Sequence, residues 1–140
     1  MARKNNSNIE FETAFYEKVL EYAPDFIEAL ICLGDHYTRQ GFYEKGLRVD
    51  EKLARLRPDD AVVMYNLACS YSLMNDIPLA RGAMVKAFEL GYDEWDHLRK
   101  DADLANLLRD SEFQLCMSEY RMKGARHRAQ ACGTYQQEAA

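Results

Sequence analysis

The stretch from Asp25 to Pro58, DFIEALICLGDHYTRQGFYEKGLRVDEKLARLRP, decides the fold, because its spacing returns 34 positions later. Leu30, Leu33, Gly34 and Tyr37 are answered by Met64, Leu67, Ala68 and Tyr71. Within each copy an apolar set at helical spacing meets a short turn, Gln40-Gly41 and then Asn75-Asp76, and a second helix-spaced set follows. Gly46, Asp50 and Leu53 in the first copy give way to Ala80, Met84 and Ala87 in the second, and Pro24 and Pro58 punctuate the chain at the same interval. A fixed period of this length, with a helix-turn-helix in each unit, predicts an all-α solenoid of stacked antiparallel helix pairs.

These residues resemble the tetratricopeptide repeat family. That pattern asks for a large apolar residue, Leu-Gly, Tyr, a turn with Gly, small residues on the second helix, and Pro. The first repeat supplies Leu30, Leu33-Gly34, Tyr37, Gly41, Tyr43, Gly46 and Pro58, lacking only the opening Trp and the aromatic residue where Asp50 stands. The second supplies Leu67-Ala68, Tyr71, Ala80 and Ala87, with Asn75 at the turn and Pro78 opening its second helix. The resemblance implies a right-handed superhelix of about two full repeats with capping helices at both ends.

At 140 residues the chain is the size of one domain, and its 48% hydrophobic and 29% charged residues are ordinary for a soluble globular protein. No apolar run approaches the roughly 20 residues of a spanning helix, and MARKNNSN lacks the apolar core of a secretory signal. A cytoplasmic protein without membrane contact is expected. Cys32, Cys69, Cys116 and Cys132 are widely spread with no CxxC spacing, which suits a reducing compartment. Residues 9–120 hold 12 basic and 22 acidic side chains, a net −10, and an acidic body argues against nucleic acid as a partner.

In chain order, residues 1–8 are polar and expected to be disordered. Residues 9–23 form an N-terminal capping helix with Phe11, Phe15, Val19, Leu20 and Tyr22 on one face, in the second-helix slot of a repeat whose first helix is missing. Residues 25–58 and 59–92 are the two repeats, Asp25 and an Asp after Pro58 being candidate N-caps and Gly41 and Gly91 helix ends. Residues 93–120 depart from a third repeat, with Asp101 where the pattern wants Leu. They look like the closing segment found after the last repeat in many bacterial members, with Trp95, Leu98, Leu104, Leu107 and Phe113 sealing the core. Residues 121–140, basic then polar, are expected to fray.

No chemistry of an enzyme is visible, and no cofactor is expected. Asp35 and His36 are neighbours, so their side chains stand about 100° apart on a helix and do not share a face. Cys116, His127 and Cys132 match no standard zinc spacing, and neither Walker nor dinucleotide glycine patterns occur.

The resemblance implies that first helices line a concave groove that binds an extended peptide or a helix of a partner. Its groove positions fall on Glu28, Ile31, Cys32, Asp35, Thr38 and Arg39, then Val62, Tyr65, Asn66, Cys69, Ser72 and Leu73. Ile31, Val62, Tyr65 and Leu73 offer apolar contact, and the amide of Asn66 can bond a peptide backbone. One subfamily clamps the terminal carboxylate of chaperone tails with Lys, Asn and Arg, but only Asn66 fills its slot here. Ile31, Asp35, Asp96 and Lys100 occupy the others, so tight binding of acidic tails is not expected. The leading expectation is a non-catalytic interaction module or scaffold. The alternatives are a homo-oligomer in which Arg121, Lys123, Arg126 and Arg128 dock on an acidic groove, and a catalytic or metal-binding role, which these residues do not favour.

Overall fold

In the computed structural model, which describes residues 2–138 with side chains from residue 7 to 131, the chain is all-α among the described residues. The α-helices are α1 (Ala2–Tyr22), α2 (Ile27–Arg39), α3 (Tyr43–Leu56), α4 (Ala61–Leu73), α5 (Ile77–Glu89), α6 (Trp95–Lys100), α7 (Ala105–Leu108) and α8 (Ser111–Glu138). One 3-10 turn, Ala102–Leu104, precedes α7. No helix among them is long and apolar enough to cross a membrane.

The period of the sequence reappears in the backbone. α2 and α4 are both 13 residues long and start 34 positions apart, as do α3 and α5. α2 closes with Gly41 N–H donating to Thr38 O and Phe42 N–H to Tyr37 O, and α4 closes with Asn75 donating to Ser72 and Asp76 to Tyr71. The pattern needs a residue with positive φ, supplied by Gly41 at 82° and by Asn75 at 58°. Helices pack in chain order, α1 on α2, α2 on α3, α3 on α4 and α4 on α5, while α5 also meets α7 and α8.

The apolar core is uneven. Its main body lies around α4 and α5, where Met64, Leu67, Ala68, Ala80, Met84, Ala87 and Phe88 meet Leu98, Leu104, Leu107 and Phe113 from the closing segment. Trp95 is half-buried against them. Arg81 pins the start of α8 by pairing with Asp110 at 2.7 Å and Glu112 at 3.1 Å, and Asp110 in turn accepts from Phe113 N–H. Around α2 and α3 only Leu30, Leu53 and Val63 form a buried apolar cluster.

Several expectations need correction. The segment 2–8 is helical and continuous with the rest of α1, since extending a packed helix is far easier than nucleating one. Residues 121–138 likewise continue α8, because Ala, Arg, Gln, Met and Lys favour helix. Residues 139–140 lie outside the described ones, as does the side chain of Cys132. Asp25 does not cap α2, whose N-cap is Phe26 without a side-chain bond; Asp25 instead reaches Lys52 at 3.3 Å. Asp60 does cap α4, accepting from Val62 and Val63 N–H.

The apolar face assigned to α1 turns outward in large part. Phe11, Phe15 and Tyr22 are exposed, and α1 meets α2 through Thr13, Glu12, Glu17 and the partly buried Tyr16. The reason is the surface that α2 presents. His36 Nε2 lies 2.6 Å from Glu12, Tyr37 O–H donates to Glu17 at 2.6 Å, and Gln40 donates to Thr13 at 2.9 Å. Polar groups on α2 demand polar partners, and only Val19 and Leu20 of the predicted face turn partly inward.

Candidate functional site

Two residues that break the repeat pattern lead to the site. Asp50 stands where the pattern has an aromatic residue and Asp101 where it has Leu, and both border a cleft of about 420 Å³. α2 contributes Ile31, Cys32, Asp35 and Thr38 to its wall, α4 contributes Asn66, Cys69 and Leu73, and the segment after α5 contributes His97, Asp101 and Asp103. Gly34, His36, Asp50, Leu53, Tyr65 and Ser70 complete the lining. Beneath it Gly34 and Gly46 let α2 and α3 approach closely. A methyl group on Gly34 would meet Asp50 Oδ1 at 3.1 Å, and one on Gly46 would meet Thr38 Oγ1 at 2.9 Å.

Burial and like charge act together on these carboxylates. Asp50 is 8% exposed and accepts a hydrogen bond from Ser70 Oγ–H at 2.5 Å. Burial pushes its carboxyl up to about 7, Asp35 adds to the rise, and the Ser70 bond opposes it. Asp103 is raised too, by burial first and then by Asp101 and Asp35. Asp101 is held by donors: Tyr65 O–H at 2.6 Å and Asp103 N–H at 3.0 Å, with the Cys69 thiol 3.8 Å away. Burial, and then the bond to Asp101, holds the Tyr65 phenol well above its ordinary range. The Cys69 thiol rises through burial and then through Asp101, Asp103 and Asp50, which keeps it protonated and unreactive near neutral pH.

The structure brings Ile31, Cys32, Asp35, Thr38, Tyr65, Asn66, Cys69 and Leu73 of the expected groove into this one cleft. Four others fall elsewhere. Glu28 and Val62 are exposed outside its lining, and Arg39 turns back to pair with Asp35 at 3.0 Å. Ser72 is fully buried: its Oγ accepts from Leu107 N–H and its carbonyl from Asn106 Nδ2, so it fastens α7 to α4. Tyr65 is not a free apolar contact but a buried ring stacked on Tyr92, centroids 4.5 Å apart. Of the adjacent Asp35 and His36, the first is exposed at the cleft and the second buried, with Nδ1 2.5 Å from Cys32 O.

Asp50, Ser70, Asp101 and Asp103 were missing from the sequence-based set. The signal for the first and third was their mismatch with the repeat pattern, since a carboxylate in a core slot must meet a donor or a solvent-filled space. No sequence signal marks Ser70 or Asp103, which join the cleft through the packing of α4 on α3 and on the 3-10 turn. Among the described residues, no group of three His, Cys, Asp or Glu side chains is arranged to hold a metal ion.

No protein-family model matches the chain. It is similar to a chloroplastic protein of Arabidopsis thaliana, with 28% identity over 90 residues. That alignment covers 62% of this chain and 27% of the relative, so the chain matches about a quarter of the length of the protein it resembles.

Proposed function

We propose that the chain is a non-catalytic binding module whose cleft receives a cationic side chain carried by a peptide or helix of a partner protein. In this reading α2–α3 and α4–α5 are two tetratricopeptide units of a right-handed superhelix, and the cleft is its concave side. The observation that supports the reading is the charge of the wall. Asp35, Asp50, Asp101 and Asp103 line one cleft, and no lysine or arginine is among its lining residues. Asp35 raises both Asp50 and Asp103, so these carboxylates repel across the space between them, and a guanidinium or ammonium group placed there relieves the repulsion. Asn66, exposed on the α4 side, offers both a donor and an acceptor to a peptide backbone, and Ile31 and Leu73 give apolar flanks.

The test is fluorescence anisotropy with two labelled peptides of equal length, one alternating Arg with Ala and the other Glu with Ala. The basic peptide is expected to bind, more weakly as salt rises, and the acidic one not to bind. Asp35→Lys, at the exposed rim, is expected to weaken the basic peptide roughly tenfold, about 1.4 kcal/mol, and Asn66→Ala by a smaller factor. Equal binding of both peptides, or no effect of either substitution, sinks the reading.

A further inference from the structure

We propose that Asp50 is the carboxyl group that pairs with the guest's charge in the cleft, and that it gives up a proton to do so, each cationic group taken in setting one proton free. This rests on the cation-binding reading above, and adds which side chain answers the guest and how pH governs the exchange.

The carboxylates of the cleft are not equivalent. Asp35 stands exposed on α2 and pairs with Arg39 at 3.0 Å. Asp101 accepts from the Tyr65 hydroxyl and from Asp103 N–H, which suits an ionised group. Asp103 is partly buried. Asp50, only 8% exposed, borders the same cleft and takes the Ser70 hydroxyl at 2.5 Å. Since no lysine or arginine borders the cleft, an ionised Asp50 would be buried beside like charge without a counter-ion. Keeping its proton avoids that cost, and its carboxyl is accordingly raised to about 7. A guanidinium or ammonium group seated against it reverses the balance. The proton leaves to solvent, and a carboxylate–cation pair takes the place of a neutral acid.

The other titratable groups around Asp50 are less suited to the exchange. On α2, Cys32 and His36 border the cleft, but His36 is turned to α1 and its own helix, with Nε2 2.6 Å from Glu12 and Nδ1 2.5 Å from Cys32 O. On α4, burial raises both Tyr65 and Cys69, which keeps them protonated with or without a guest. Beyond α5, Asp103 is raised by burial, then by Asp101 and Asp35, and the exposed His97 lies with Nε2 3.8 Å from Asp101. These two are the rival sources of a proton.

Titration calorimetry of the full chain with the alternating Arg-Ala peptide, in pairs of buffers of different ionisation enthalpy, counts the protons released. At about pH 6 the wild type is expected to release about one proton per peptide bound, and little above about pH 8.5. Affinity should rise roughly tenfold from about pH 5.5 to about pH 7.5 and level off above, because at the acid end the guest must displace a proton. Asp50→Asn should release none, match the wild type at the acid end, where Asp50 is neutral, and fall roughly tenfold behind it at the alkaline end. His97→Gln and Asp103→Asn should keep most of the release. Ser70→Ala removes a donor that favours the ionised form and should move the midpoint to higher pH. A peptide that binds at no pH defeats the cation-binding reading and the exchange together. Binding without proton release, release that survives Asp50→Asn or is lost in His97→Gln or Asp103→Asn, or a midpoint unmoved by Ser70→Ala overturns the exchange alone and leaves the cation-binding reading standing.

Discussion

Asp50 and Met84 occupy the same place in two consecutive helix pairs, 34 residues apart, and meet opposite fates. Met84 is wholly enclosed in the apolar body built by α4, α5 and the closing segment. Asp50, nearly as enclosed, faces a cleft and holds one hydroxyl, that of Ser70. The neighbours explain the difference. At Met84 the closing segment supplies Leu98, Leu104, Leu107 and Phe113, whereas among the described residues the buried cluster beside α2 and α3 is Leu30, Leu53 and, from α4, Val63. The second pair is therefore the part that holds the fold, and the first pair is the part that gives up packing to carry charge.

The largest expected effect is on pH dependence. The folded-state carboxyl of Asp50 titrates near 7 and its unfolded-state carboxyl near 4, so between those values the native state holds a proton that the unfolded state has released. Stability then falls as pH rises through this window and is flat above it, the reverse of a carboxylate that gains a cation. Asp50→Asn removes the titration while keeping an acceptor for Ser70. Relative to wild type, the variant should gain little at pH 4 and on the order of 4 kcal/mol by pH 8, about 1.4 kcal/mol for each pKa unit. Urea unfolding of both chains across this range tests it, and parallel curves would contradict the buried, mutually repelling carboxylates.

In the partner slot, truncation should act without regard to pH. Met84→Ala leaves a cavity in a closed core and is expected to cost about 3 kcal/mol at every pH from 4 to 8. If the loss is under about 1 kcal/mol, the second pair is not the better packed one. The small residues sharpen the contrast further, since Gly34 and Gly46 have Ala68 and Ala80 as their counterparts. Alanine fits the second pair at zero exposure, but at Gly46 it would crowd Thr38 Oγ1. Gly46→Ala should destabilise by about 1 kcal/mol, the clash exceeding the gain in helix propensity. In a Thr38→Ala background the same substitution should turn neutral or stabilising, read as non-additivity in a double-mutant cycle.

The extents of α2 to α5 and the turns at Gly41 and Asn75 were legible in the sequence, because each rests on local spacing and local backbone chemistry, whereas the sealing role of Leu98, Leu104, Leu107 and Phe113 was implied by the resemblance of the closing segment. Eight of the twelve groove positions that the resemblance implied border the cleft, Ile31, Asp35, Asn66, Cys69 and Leu73 among them. What was not legible depends on a partner surface. Phe11, Phe15 and Tyr22 have the stronger apolar periodicity on α1, yet the polar row His36, Tyr37 and Gln40 on α2 draws in Glu12, Glu17 and Thr13 instead. Ser72 has the register of a groove residue, but α7 packs over it and claims its hydroxyl and carbonyl. The length of α8 was not legible either, since its second half shows little apolar periodicity yet continues the helix.

The two pairs also begin differently, and this gives the smallest expected effect. Asp60 accepts from two N–H groups at the start of α4, at 2.9 and 3.2 Å, whereas α2 starts at Phe26 without a side-chain bond. Asp25, one residue earlier, only reaches Lys52 in an exposed ion pair, and Lys52 also donates to Pro24 O at 2.6 Å, so the lysine keeps a partner when the carboxylate goes. Asp60→Ala should therefore cost about 1 kcal/mol, the ordinary worth of an N-cap. Asp25→Ala should cost less than about 0.5 kcal/mol, as exposed pairs do, and that small loss should vanish at high salt. Thermal melts of both variants at low and high salt read the difference. Equal losses that persist in salt would mean that Asp25 caps α2 in solution, which would make the two pairs alike at their N-terminal ends and confine their difference to the residues around Asp50 and Met84.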